Sequence, residues 1–81
     1  MVVSVHFLGH HRKLAKADKI SVPLMKETRV DDLLRHLTEQ YPELSLNNED
    51  FFISVNDQMS GPGQILKADD HVAIIPHIGG G

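Results

Sequence analysis

Only one stretch of this chain carries a sustained helical repeat of apolar residues. Val30, Leu33, Leu34, Leu37 and Tyr41 recur at steps of three and four, which gathers them on one side of a helix. Elsewhere the apolar period is two: Val3, Val5 and Phe7 alternate with Ser4 and His6, and Ile20, Val22 and Leu24 resume the alternation. A lone amphipathic helix must bury its stripe against another element. In 81 residues the surface available is a sheet made from the alternating segments, so the expected class is α+β with one main helix packed across a mixed sheet.

The connections follow from local chemistry. Gly9 to Lys19 is polar, with little apolar periodicity, and reads as a loop between two strands close enough to form an antiparallel hairpin. Thr28 is the expected N-cap of the helix, with Asp31 three residues on, and Asp31 and Asp32 place negative charge at the positive end of the helix dipole. Pro42 ends the helix, because proline cannot donate the next helical hydrogen bond. Phe51 to Val55 is rich in β-branched and aromatic residues and runs into Asn56-Asp57, a turn pair. A short strand is expected near Met59, a turn at Gly61-Pro62-Gly63, and a buried final strand over Val72 to Ile75, closed by Pro76.

A chain of this length has room for one core, and a deep cleft with its own catalytic machinery is hard to frame around it. Residues 1–76 are expected to form the domain and 77–81 a flexible tail. Without cysteine there is no disulfide framework, thiolate zinc site or cysteine nucleophile, and a reducing cytoplasm is compatible. No segment approaches the roughly 20 apolar residues of a membrane span, and a formal charge of -3 argues against a nucleic-acid footprint. The basic cluster Arg12, Lys13, Lys16 and Lys19 reads as solvated surface in the Gly9–Lys19 loop.

The sequence ends Pro76, His77, Ile78, Gly79, Gly80, Gly81. Terminal glycines are often no more than a frayed linker. These follow a core strand closely, however, and a backbone without Cβ atoms can pass through a narrow channel where side chains would clash. Such a tail suits delivery of a carboxylate to another protein. There the carboxylate becomes an electrophile once joined to a good leaving group.

With the tail in view, the whole chain resembles the MoaD/ThiS family, which comprises the small subunit of molybdopterin synthase and the thiazole-pathway sulfur carrier. The resemblance rests on V-x-x-L-L-x-x-L at Val30 to Leu37, Y-P-E-L at Tyr41 to Leu44 and V-N at Val55-Asn56. It is completed by L-x-x-x-D-x-V-A-I-I-P from Leu66 to Pro76 and by the terminal Gly80-Gly81. Departures are His77 in place of a second proline, a third terminal glycine, and Asp69 at a turn position usually held by glycine. The resemblance implies a ubiquitin-like β-grasp fold and a carrier that is not itself an enzyme. It further implies that an ATP-using, ubiquitin-activating-type enzyme adenylates the Gly81 carboxylate, which then becomes a thiocarboxylate. Gly79, Gly80, Ile78 and His77 would thread the partner's channel. The implied acceptor is the large subunit of molybdopterin synthase or a thiazole synthase, with the A-I-I-P block nearer the molybdopterin type. No phosphate-loop motif is present, so ATP would be bound by the partner, and no cofactor is expected on this chain. Two rival readings are a ubiquitin-like modifier joined to lysines of other proteins and a plain binding module with an inert tail.

Other constellations carry less. Six histidines invite a metal reading, but their spacing fits no common zinc signature and adjacent His10 and His11 would point apart in an extended segment, so they are expected at the surface and no metal site is predicted. Asp69-Asp70 reads as turn chemistry before a strand. No serine lies in a G-x-S-x-G elbow. Tyr41, Phe51 and Phe52 are expected to be core or half-buried, and Ile65 and Ile75 are candidates for an apolar docking patch on the sheet face away from the helix.

Overall fold

The structure, a computed structural model, describes residues 1–44, 46 and 51–76. Strand β1 (Val2–Phe7) turns into a short helix α1 (His10–Ala15), then β2 (Lys19–Pro23) and the main helix α2 (Val30–Gln40). A 3₁₀ turn (Pro42–Leu44), strands β3 (Phe51–Val55) and β4 (Gln58–Met59), and the final strand β5 (His71–Pro76) follow. The strands form one sheet in the order β2-β1-β5-β3-β4. β1 and β5 run parallel at its centre, and the other pairs are antiparallel. This is the mixed sheet with one main helix that the periodicities predict.

The alternation decides which face is buried. Val3, Val5 and Phe7 of β1, Val22 of β2, Ile53 and Val55 of β3, and Val72 and Ile74 of β5 join Val30, Leu33 and Leu37 of α2 in one core. Leu44, Leu46 and Leu66 close it at the margins. Phe7 sits edge-on to Tyr41, with ring centroids 5.9 Å apart, so the end of β1 is held against the end of α2.

Three local expectations need correction. The Gly9–Lys19 stretch is not all loop, because it contains α1, which hides the side of His11 and Ala15, four residues apart. Helical periodicity was invisible there because one of its two buried residues is a histidine. His11 is accordingly fully buried rather than at the surface, and its ring lies 4.4 Å from that of His10. The basic cluster is nevertheless exposed as expected, with Arg12 and Lys13 on α1, Lys16 at its left-handed C-cap and Lys19 opening β2. Finally, the N-cap of α2 is Arg29 rather than Thr28. The Arg29 amide donates to Asp32 Oδ2 at 3.1 Å, while Thr28 Oγ1 donates to the Met25 carbonyl.

The start of α2 is capped chiefly from elsewhere in the chain. The Val30 and Asp31 amides donate to the carbonyls of Gln64 and Pro62, each at 3.0 Å, and the Leu66 amide donates to the Thr28 carbonyl. The β4–β5 connection therefore supplies acceptors to the helix amides that have no intrahelical partner. Ile65, paired with Arg29 in this wrap, is exposed beside the helix start and not on the open sheet face.

At the far end of the sheet, Asn56 and Asp57 have φ of 52° and 69°, the left-handed pair that a two-residue hairpin requires between Val55 and Gln58. Asp70 pins this hairpin to β5. Its carboxylate accepts from Asn56 Nδ2 at 2.9 Å and from the Lys67 amide at 2.7 Å, while Asn56 Oδ1 accepts from the His71 amide. Removing a largely buried acceptor strands its donors and costs about 1–3 kcal/mol. Asp70→Ala should therefore lower the thermal midpoint by roughly 4–8 °C for each kcal/mol, with Glu39→Ala, at an exposed position of α2, as the comparison in the same melting experiment.

Candidate functional site

Gly81 and the tail residues Gly79, Gly80, Ile78 and His77, the predicted working part, lie outside the described residues. What the structure does describe is the place from which they leave. β5 ends at Pro76, whose partner on β3 is Phe51, and Ile75 is paired with Phe52. On the other flank Phe7 is registered with Ile74, so Leu8 follows into the same end of the sheet.

The face of the sheet away from α2 is laid out in rows by this register. Nearest the exit of β5 come Leu8, Ile75 and Phe52, contributed by the end of β1, by β5 and by β3. Leu8 is 41% and Phe52 46% exposed, while Ile75 is half-buried between them. Phe52 is thus neither core nor half-buried as expected. It follows from the alternation around buried Ile53, which sends its neighbour to the opposite face. The next row is more polar, with His6, Ala73 and Ser54 in register, and the third carries Ser4 beside His71. The His6 and His71 rings lie 6.0 Å apart over a shallow concavity that Asn56 and Asp57 also line.

Chemically, this face offers an apolar strip at the root of the tail and a polar, hydrogen-bonding area beyond it. Such an arrangement fits a binding surface better than a reaction centre. Among the described residues no group of three or more His, Asp or Glu is placed to hold a metal ion. None of the described helices is long and apolar enough to cross a membrane. Asp69 and Asp70 are divided by their environments, Asp69 exposed at φ +68° and Asp70 buried in the hairpin clamp, which is the turn role predicted for them.

The sequence model of the ThiS family matches residues 5–81, a span that runs from inside β1 through Gly81. The chain belongs to the ThiS family. The curated relatives that it matches are named sulfur carrier subunits. A curated relative, the molybdopterin synthase sulfur carrier subunit of Drosophila sechellia, is 28% identical over 89 residues, covering 99% of this chain and 93% of the relative. In structure, SAMP1 (small archaeal modifier protein 1) of Haloferax volcanii superposes with a TM-score of 0.87 at 18% identity, covering all of both chains. A subunit in the complex of subunits 1 and 2 of the molybdopterin-converting factor of Helicobacter pylori superposes with a TM-score of 0.71 at 22% identity, again covering all of both chains. These likenesses establish the ubiquitin-like β-grasp fold.

Two site features escape a reading of the sequence. One is the share of Leu8 and Phe52 in the exposed apolar row, of which the sequence singles out Ile75 alone as a docking candidate on this face; the step from Phe52 to buried Ile53 is the available signal. The other is Gly9, which is exposed and directly beside Pro76. A glycine two residues past the end of β1 is its only trace in the sequence.

Proposed function

We propose that this ThiS-family chain carries sulfur for molybdopterin biosynthesis on the carboxylate of Gly81. Residues 1–76 form the docking domain and 77–81 the tail that enters the partner's active site. An activating enzyme of the ubiquitin-activating type binds ATP and joins AMP to the Gly81 carboxylate, releasing pyrophosphate. Hydrosulfide, or a sulfur donor equivalent to it, attacks the acyl carbon, AMP departs with the electron pair of the broken C–O bond, and a thiocarboxylate remains. The partner that consumes this sulfur is a large subunit of the molybdopterin synthase kind. It docks on the row of Leu8, Phe52 and Ile75, so that the apolar strip is covered as the tail goes inward.

The observation that carries this reading is the family match continuing through Gly81. The name of the curated relative favours the molybdopterin branch over the thiazole one. A second reading, a modifier joined to lysines of other proteins, is favoured by the likeness to SAMP1.

Intact-mass spectrometry separates them. Incubation with the activating enzyme, ATP and a sulfide source should raise the mass by about 16 Da, the exchange of one oxygen for one sulfur at an activated acyl group. Addition of the large subunit and its substrate should then reverse the gain. A chain that never gains this mass, but turns up attached to other proteins after incubation in cell extract, would establish the modifier reading instead.

A further inference from the structure

Gly9 has φ +59° and ψ -136°, the conformation of the first central residue of a type II′ turn, a place glycine fills without steric cost. The His11 amide donates to the Leu8 carbonyl at 3.3 Å, closing that turn over Leu8 to His11. The Arg12 amide then donates to the Gly9 carbonyl at 3.2 Å and opens α1. The turn lies against the end of β5. A Cβ placed on Gly9 would stand 3.0 Å from Pro76 Cγ, closer than side-chain carbons ordinarily approach. Pro76 is the last described residue before the tail, and its other flank is fixed by pairing with Phe51.

We infer that Gly9 is a positioning residue for the tail: the bare backbone of the β1–α1 turn lets Pro76 seat between it and β3, which sets the direction in which the chain leaves the sheet. This inference rests on the carrier reading. A side chain at Gly9 meets two obstacles together, a backbone conformation that L-residues rarely adopt and contact with the proline ring. The turn or the strand end must shift. Phe52 and Ile75, which project from β3 and β5, keep their place, and Leu8, the first residue of the turn, is the one member of the apolar row that moves with it. Binding and delivery should therefore separate, since a misplacement of order 1 Å at the reacting group can lower a rate on the order of 100-fold while leaving recognition intact.

The test is ATP–pyrophosphate exchange catalysed by the activating enzyme, with this chain as the varied substrate, on full-length wild type, Gly9→Ala, Pro76→Ala and the double variant. Gly9→Ala is expected to lower kcat by about 10- to 100-fold, with KM within about twofold, because a displaced terminus is felt at the reacting group and not in capture of the domain. Pro76→Ala, which removes the ring seated on the turn, should lower kcat in the same sense. The double variant should fall by less than the two single falls combined, since the ring contact is then already gone and only the strain of the turn is left. Should Gly9→Ala fail to fold by circular dichroism, Pro76→Ala alone decides, and an unchanged kcat in it overturns the inference. Equal falls for Gly9→Ala in both backgrounds, or a rise in KM with kcat unchanged, also overturn it, because turn strain or docking would then be the cause. Wild type that supports no exchange would overturn the carrier reading and this inference with it, whereas active wild type with indistinguishable variants would overturn this inference alone.

Discussion

Phe7→Ala is expected to remove roughly 3–5 kcal/mol of folding stability. Phe7 is 1% exposed and ends β1 where the sheet, the close of α2 and the exit of β5 meet. Truncation there loses the transfer free energy of the ring and leaves a cavity. It also loses the edge-on contact with Tyr41, and such aromatic pairs contribute about 0.5–1.5 kcal/mol beyond their area. Set against a total of about 4–12 kcal/mol for a chain of this length, the loss is a large share of the whole. The same aromatic ring in a larger domain would be a smaller fraction of stability. Urea titration followed by circular dichroism should show a midpoint displaced strongly to lower denaturant with an unchanged slope. A displacement equivalent to under about 1 kcal/mol would mean that the surrounding residues collapse into the space, contrary to the close packing expected of a protein interior.

The residues that make Phe7 so consequential are also those most legible in the sequence. Val3, Val5 and Phe7 alternate, Val30, Leu33 and Leu37 share a helical stripe, and each set is buried where its period places it. Periodicity succeeds for elements that bury one face and expose the other. It fails for α1, which has too few residues to display a repeat and hides a histidine. It also fails for the α2 cap, where the deciding acceptors, the Pro62 and Gln64 carbonyls, come from more than 30 residues downstream. Local propensity at Thr28 had no way to register them. Ile65 was misplaced for the same reason, being committed to that wrap and not to the sheet. The tail lies outside the described residues, and the structural features around its root arise from chain crossing: Leu8, Ile75 and Phe52 become neighbours only when β5 inserts between β1 and β3.

That insertion leads to the second large effect. Phe52→Asp should weaken binding to the large subunit of molybdopterin synthase by on the order of 100-fold or more, since a central aromatic anchor contributes about 2 kcal/mol or more and a buried unpaired carboxylate adds a desolvation cost. Phe52 projects from the face opposite the core, so folding should change by no more than about 1 kcal/mol, the span of strand propensities in a host protein. Isothermal titration calorimetry measures the binding, and thermal melting checks the fold. Ser21→Asp is the matched control: it introduces the same charge at an exposed position of β2, registered with Ser4 in the third row and away from the tail. Affinity within about threefold of wild type is expected there, as for a rim charge outside the buried centre of an interface. If both variants weaken binding alike, added negative charge anywhere on the face is the cause and the apolar row is not the anchor. If neither does, the partner docks elsewhere, and the closeness of Leu8, Phe52 and Ile75 to the tail has another use. Loss confined to Phe52→Asp would tie capture of the domain to the same end of the sheet from which the tail departs, so that one docking event both holds the carrier and aims its terminus.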